Sequence, residues 1–306
     1  MIVVTGAGGF IGSYLVEKLI ELGEEQILPL DIDQGDCPIP ITYCDIRSPE
    51  TFPLTKHVDV VIHCAALLMI DGHAPYKYFE VNTIGTYNIL EFARRTGARL
   101  IYTMTHSDVN MSDELYIREE TPQKYGGSPE VITFVSSKIA AMNMIQAYNA
   151  MGYVHSIILR LANIRGYGSQ DTKYGCVFHQ FIEKTKQGIS IELWGKLKTK
   201  RDLIYIKDVI RAIIAAINPN VPAGLYNIGS GRGLTIKDEA EAIVQVFSPP
   251  GMPFAAFIYR PDIPEVRKRS CIFDINKAIS FLGWRPKYDY LEGLMDMKRI
   301  MEEDEK

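Results

Sequence analysis

Residues 1–12, MIVVTGAGGFIG, pass from an apolar strand through a turn of small residues into a helical pattern carried by Phe10, Ile11, Leu15, Val16 and Leu19. Gly6, Gly9 and Gly12 recur at intervals of three. Between a strand and a helix, this spacing lets backbone amides reach a pyrophosphate at the helix N-terminus, because each glycine removes a Cβ from the approach. A tight turn in an unrelated α/β protein has the same local signature, so the next strand has to decide. Ile27–Leu30 supply that strand and deliver Asp31, nineteen residues after Gly12 and followed by Ile32. A carboxylate at this spacing accepts from both adenosine ribose hydroxyls and repels a 2′-phosphate, which selects NAD over NADP. No arginine directly follows Asp31 to reverse that choice.

The 306 residues accommodate one large α/β domain or two unequal ones, with 47% hydrophobic residues, 23% charged residues and a net charge of -4. There is no basic tract to hold nucleic acid and no apolar run of membrane length. Cys37, Cys44, Cys64, Cys176 and Cys271 are scattered, and the histidines form no ligand motif, so neither a disulfide framework nor a metal site is expected. With the fingerprint strand at the first residues, there is no room for a leader, and a reduced, cytoplasmic protein is the expectation.

Ile39–Tyr43 read as a third strand leading into Cys44, Asp45 and Ile46. Asp45 is either an acceptor for the adenine amino group or a helix cap. Val58–Leu67 are almost continuously apolar, as in an interior parallel strand, and Cys64, Ala65 and Ala66 leave space for a dinucleotide or for close helix packing. Tyr78–Ala93 have helical periodicity, interrupted by Asn82, whose amide can satisfy a backbone donor and acceptor at once or face solvent. Leu100–Thr103 form a strand running into Thr105, His106 and Asp108, the first groups able to move a proton; a capped strand end is the structural alternative. After a loop rich in proline, glycine and charge, Val131–Asn149 form a helix carrying Lys138, either a partner for ribose hydroxyls or a surface ammonium on a buried stem.

His155–Leu161 give another strand, and the glycines beyond it open a smaller lobe containing a helix at Val177–Lys186 and a strand at Ile189–Leu193. Arg201 offers a fork of donors suited to a diphosphate, with Asp202 or Asp208 as alternative partners. Further elements are a helix at Val209–Ile217, a strand at Leu225–Ile228, a helix capped by Thr235 and Asp238, and helical patterns at Phe273–Leu282 and Tyr290–Met301. Arg260, Asp262 and Glu265 lie on a charged loop, Arg260 suited to phosphate and Asp262 to a sugar hydroxyl or an arginine. The expected fold is α/β: a Rossmann-like doubly wound parallel sheet with a smaller C-terminal substrate-binding lobe. Residues 1–165 form the NAD-binding region, to which 202–229 return, while 166–201 and 230–306 make up the lobe.

Taken together, TGAGGFIG, Asp31, CDI at 44–46, HCAA at 63–66, Asn82 and Lys138 resemble the extended short-chain dehydrogenase/reductase superfamily. LRLANIRGYG at 159–168, RDLIYIKDV at 201–209, YNIGSG at 226–231 and LGWRP at 282–286 resemble its nucleotide-sugar epimerase and dehydratase branch. The resemblance implies NAD held by Gly6, Gly9, Phe10, Ile11, Gly12, Asp31 and Ile32, adenine near Asp45 and Ile46, and the nicotinamide path along Cys64, Ala65, Ala66, Asn82, Thr103 and Lys138. It implies a nucleotide-sugar substrate met by Asn163, Arg201, Arg260 and Asp262, and a homodimer built on the helices around 78–93 and 131–149.

One position departs from the pattern. The Tyr-x-x-x-Lys signature falls on Phe134 and Lys138, and a phenyl ring cannot accept a proton. The upstream hydroxyl position aligns with Thr105 by strand and with His106 by Val109. Three readings follow: an epimerase or dehydratase with His106, Tyr125 or Tyr167 as substitute base, epimerisation being preferred because no Asp-Glu pair follows Thr105; a net sugar-nucleotide dehydrogenase; or a weakly catalytic NAD and nucleotide-sugar binding protein.

Overall fold

The computed structural model describes residues 1–55, 57–68, 73–168, 177–251, 254–264 and 269–304. Its centre is a seven-stranded sheet formed by β1 (Ile2–Thr5), β2 (Ile27–Asp31), β3 (Thr42–Tyr43), β4 (Val60–His63), β5 (Arg99–Thr105), β6 (Ser156–Leu161) and β7 (Gly224–Ile228). The spatial order is β7-β6-β5-β4-β1-β2-β3, and every pairing is parallel. The chain winds outward from β1 to β3, then crosses back and winds outward again from β4 to β7. The order therefore reverses between β1 and β4, and the crevice at their carboxyl ends is where a doubly wound sheet takes its ligand. β1, β4 and β6 are buried throughout, which accounts for their unbroken apolar character.

Several elements differ from the sequence-based expectations. β3 is only Thr42–Tyr43, because Pro38 and Pro40 cannot donate to a ladder and confine the pairing to the sheet edge. The helix expected over 78–93 comprises a short helix at Pro75–Tyr78, a π-helical segment at Phe79–Gly85 and an α-helix at Thr86–Thr96. Gly85 permits close packing here: a Cβ at that position would lie 2.6 Å from Ile46 Cδ1. The expected helix at 273–282 covers only Asn276–Leu282, since Ile272–Phe273 pair in parallel with Tyr116–Ile117 and tie the C-terminal segment to the loop after β5. The helix Pro129–Ala150 begins where proline suits a first turn, capped by Ser128.

Smaller sheets extend the carboxyl end. Asn163–Arg165 pair with Lys200–Tyr205, which also pair with Gly233–Thr235, and Ile191–Trp194 pair with Phe257–Arg260. The helix Ile236–Phe247 starts with the expected reciprocal cap between Thr235 and Asp238.

Asp208 fastens two distant motifs. Its fully buried carboxylate accepts from Arg211 Nη1 at 2.7 Å and from the amides of Lys287 and Tyr288 at 2.8 and 2.9 Å. Its carbonyl accepts from Trp284 Nε1 at 3.0 Å. Thus the IKDV and LGWRP runs meet in one anchor. Asp208→Ala removes the shared acceptor of three part-buried donors and is expected to lower unfolding free energy by about 2 kcal/mol, measured by urea titration.

Candidate active site

At the reversal point, the glycine loop is pressed against the end of β4. Gly6 has φ +70°, and a Cβ on it would lie 2.5 Å from the Ala65 nitrogen. A Cβ on Gly12 would lie 2.0 Å from the Gly6 oxygen. The helix Phe10–Glu21 starts at Gly9 with neither a side-chain cap nor an acidic residue in its first turn, leaving its N-terminal end electrostatically suited to an anion. Asp31 stands at the end of β2, accepting from Gly8 N at 2.9 Å and Ile32 N at 2.7 Å. Burial raises its pKa, and these amide bonds oppose the rise. A compact cradle with a carboxylate beside it fits NAD.

Gly8 and Gly35 are the residues that sequence reasoning missed in this cradle. A Cβ on Gly35, where φ is +45°, would lie 2.0 Å from the Gly8 oxygen. The extra glycine within GAGG was the available signal; its contact with Gly35 is tertiary. Phe10 packs under Gly166 and Gly168, so the loop following Arg165 lies directly over the start of the helix. Ile11 is half-buried, whereas Ile32 is exposed beside Asp31.

Beyond Asp31, Asp45 is engaged by Arg47, with Nη2–Oδ2 at 2.6 Å, and this bonding lowers the Asp45 pKa. Ile46 points into the core near Gly85, and its carbonyl accepts from Asn88 Nδ2 at 2.9 Å.

On the other side, Lys138 is almost fully buried. Its Nζ donates to the Thr103 carbonyl at 3.0 Å and lies 4.2 Å from the centre of the Tyr102 ring. Burial pulls its pKa down to about 7, opposed by Cys64. Cys64 itself is pushed up to about 12 by burial, against the pull of Lys138. His63 is pushed down to about 3 by burial and by Lys138, and this neutral ring meets Thr5 Oγ1 at 2.7 Å and Thr86 Oγ1 at 3.0 Å. Asn82 uses both ends of its amide on one residue: Oδ1 accepts from Leu67 N at 2.7 Å and Nδ2 donates to Leu67 O at 3.1 Å. It also donates to Ser137 Oγ at 3.0 Å, so Asn82 ties the segment after Ala65 and Ala66 to the helix bearing Lys138.

The proton-transfer candidates separate. Thr105 caps the turn His106–Val109 by accepting from Ser107 N at 3.2 Å, and His106 is half-buried at the start of that turn. Asp108 is committed elsewhere, paired with Arg160 at 3.0 Å, with both side chains buried. Phe134 is buried edge-on against Tyr78, with ring centres 6.4 Å apart. Tyr125 OH lies 3.2 Å from Ser136 Oγ. Ser136 is about 200° around the helix from Lys138, which puts Tyr125 on the far face. Tyr167 is half-buried, and its carbonyl accepts from Tyr14 OH at 2.7 Å.

Among the substrate candidates, Asn163 Nδ2 donates to Asp202 O at 3.0 Å. Arg201 pairs with neither Asp202 nor Asp208 but with Glu239 at 2.5 Å, 38 residues away. Asp202 instead accepts from Ser230, Gly231 and Phe273. Arg260 is exposed and lies 3.5 Å from Glu192, and Asp262 is exposed on the neighbouring turn. Glu265 and Cys176 lie outside the described residues. Among the described residues, no three His, Cys, Asp or Glu side chains converge as metal ligands, and no helix is long and apolar enough to cross a membrane.

Residues 2–229 match the model of the NAD dependent epimerase/dehydratase family. The chain belongs to this family. NAD, expected from the glycine loop and Asp31, is the family's cofactor. Among curated relatives, the chain is 31% identical to UDP-glucuronic acid decarboxylase 1 of Arabidopsis thaliana, covering 99% of this chain and 71% of the relative. It is 28% identical to a putative UDP-glucose 4-epimerase of Methanocaldococcus jannaschii, covering 98% and 97%. Among solved structures, UDP-glucose 4-epimerase of Thermotoga maritima with UDP-glucose aligns with a TM-score of 0.83 at 26% identity, covering 100% of this chain and 99% of that one.

Within the family fold, the depressed Lys138 pKa has a consequence for stability. The native state releases the Lys138 proton near pH 7, whereas the unfolded chain keeps it to its ordinary value of 10.5. Between these values the unfolded state binds more protons, so this group makes stability rise with pH; below 7 its full penalty applies. Lys138→Met is therefore expected to gain stability over the parent at pH 6, with the gain shrinking as pH approaches 10. Urea unfolding of both proteins across that range checks it, and a gain independent of pH would exclude a desolvated ammonium.

Proposed function

We propose that the protein is an NAD-dependent epimerase acting on a UDP-sugar, with His106 taking the hydroxyl proton that a tyrosine at position 134 would otherwise accept. The observation that supports this reading is the close approach of Gly6 to Cys64 and Ala65 at the sheet's reversal point, with the buried amine of Lys138 acting electrostatically on the same Cys64. On this reading the glycine-loop amides and the buried amine serve the two ends of one dinucleotide.

Amides of the glycine loop and the start of the helix Phe10–Glu21 hold the pyrophosphate, and Asp31 takes the adenosine ribose hydroxyls. Lys138, held by the Thr103 carbonyl, presents its remaining donors to the second ribose. NAD, when bound, supplies a reversible hydride acceptor. His106, next to Thr105 at the end of β5, accepts the sugar hydroxyl proton and returns it when the sugar is reduced on its other face; imidazole suits both directions near neutral pH. Arg201 and Arg260 recognise the diphosphate, with residues 166–201 and 230–306 forming the substrate lobe. Dehydration is disfavoured because Asp108, the carboxylate closest after Thr105, is locked to Arg160.

Decarboxylation of a UDP-linked uronic acid is the second reading, favoured by the Arabidopsis decarboxylase relatives at 30–31% identity. UDP-glucose, UDP-N-acetylglucosamine and UDP-glucuronic acid, each incubated with protein and NAD, separate the outcomes. Epimerisation gives a product of unchanged mass and inverted stereochemistry, decarboxylation loses carbon dioxide, and net oxidation accumulates NADH. Saturable binding without conversion would make the protein a binder. With an active substrate, His106→Ala is expected to lower kcat about 100-fold. Tyr125→Phe is expected to stay near the parent, and the reverse result for the two variants would remove His106 from the mechanism.

A further inference from the structure

Glu239 is a nearly fully buried carboxylate far from the cofactor motif, and it gathers two arginines from separate strands. Oε1 accepts from Arg165 Nε at 2.7 Å and from Tyr290 OH at 3.3 Å, while Oε2 accepts from Arg201 Nη2. Its burial would raise its pKa, yet Arg165 and Arg201 together bring it below the ordinary carboxylate value. The placement is built locally: Thr235 caps the helix Ile236–Phe247 and its partner Asp238 fixes the first turn, so the next residue, Glu239, faces the strand Lys200–Tyr205 paired with Gly233–Thr235. Arg165 also stacks over Phe178 at 5.0 Å and leads into the Gly166–Gly168 loop that covers Phe10. One buried anion thus sets the direction of Arg201 on its strand.

We propose that Glu239 is a positioning residue for diphosphate recognition, holding Arg201 by one Nη so that the rest of its planar fork faces the substrate, with Arg165 as the second guanidinium on the same carboxylate. This rests on the nucleotide-sugar reading above. Arg201 uses only Nη2 towards Glu239, and both guanidiniums are mostly shielded, at 14% and 16% exposure for Arg165 and Arg201. A guanidinium fixed before binding loses less conformational freedom when it meets an anion. Replacing the carboxylate by an amide leaves two cations facing each other and removes that fixation.

Titration calorimetry with UDP and, separately, NAD tests this on the full chain. Glu239→Gln is expected to weaken UDP about tenfold and leave NAD affinity within about twofold. In a cycle with Arg201→Gln, the Glu239 substitution should add little once Arg201 is gone, which a general loss of stability would not reproduce. Should the glutamine variant fail to fold, Glu239→Asp, which retracts the charge by one methylene, is expected to weaken UDP selectively as well. UDP bound equally by parent and folded variants, or additive losses in the cycle, would overturn the role of Glu239 alone. A parent protein that binds NAD but neither UDP nor any UDP-sugar would overturn the nucleotide-sugar reading itself.

Discussion

The backbone of Gly6 approaches Ala65 so closely that no side chain fits between them, and this contact joins the two halves of the sheet at the point where the winding reverses. It brings the start of the Phe10–Glu21 helix beside the end of β4. A dinucleotide cradle needs that proximity because amides act on a phosphate only within hydrogen-bond reach. The second close approach, Gly12 to Gly6, sets the angle at which the helix leaves the loop. A methyl group at either place would force the backbones apart.

Behind the cradle runs a buried polar chain whose members satisfy one another. Thr5, His63, Thr86, Asn82 and Ser137 connect β1 to the helix bearing Lys138. Burial keeps the His63 ring neutral, so the chain carries no charge of its own to compete with Lys138. Lys138 is the exception: an amine with a carbonyl and an aromatic face around it and, among the described residues, no carboxylate in an ion pair. Phe134, one helical turn before Lys138, is buried with its ring edge-on against Tyr78 and brings no phenolic oxygen. The same desolvation that costs stability also supplies an amine able to change protonation near neutral pH.

Much of the fold was legible because its signals are local. The glycine spacing, the apolar runs of β4 and β6, and the Thr235–Asp238 cap each depend on neighbours within a few residues, and each appears where its pattern predicts. Elements governed by distant contacts leave a weaker trace in the local pattern. The strand at Ile272–Phe273 exists because Tyr116–Ile117 offer it a partner, and the π-helical segment accompanies close packing of Gly85 on Ile46. Neither partner announces itself in the local periodicity.

The sequence by itself determined the doubly wound sheet, the dinucleotide loop, Asp31 and the presence of lysine without tyrosine on the Pro129–Ala150 helix, because spacing and residue type encode these directly. Only the tertiary structure decided which charges meet. Arg201 is bound by Glu239 rather than by its neighbour Asp202, Asp108 is consumed by Arg160, and Tyr125 lies across the helix from Lys138. A charged side chain chooses its partner by distance and desolvation in the folded molecule, and those quantities do not exist along the chain until strands far apart in sequence have been packed side by side.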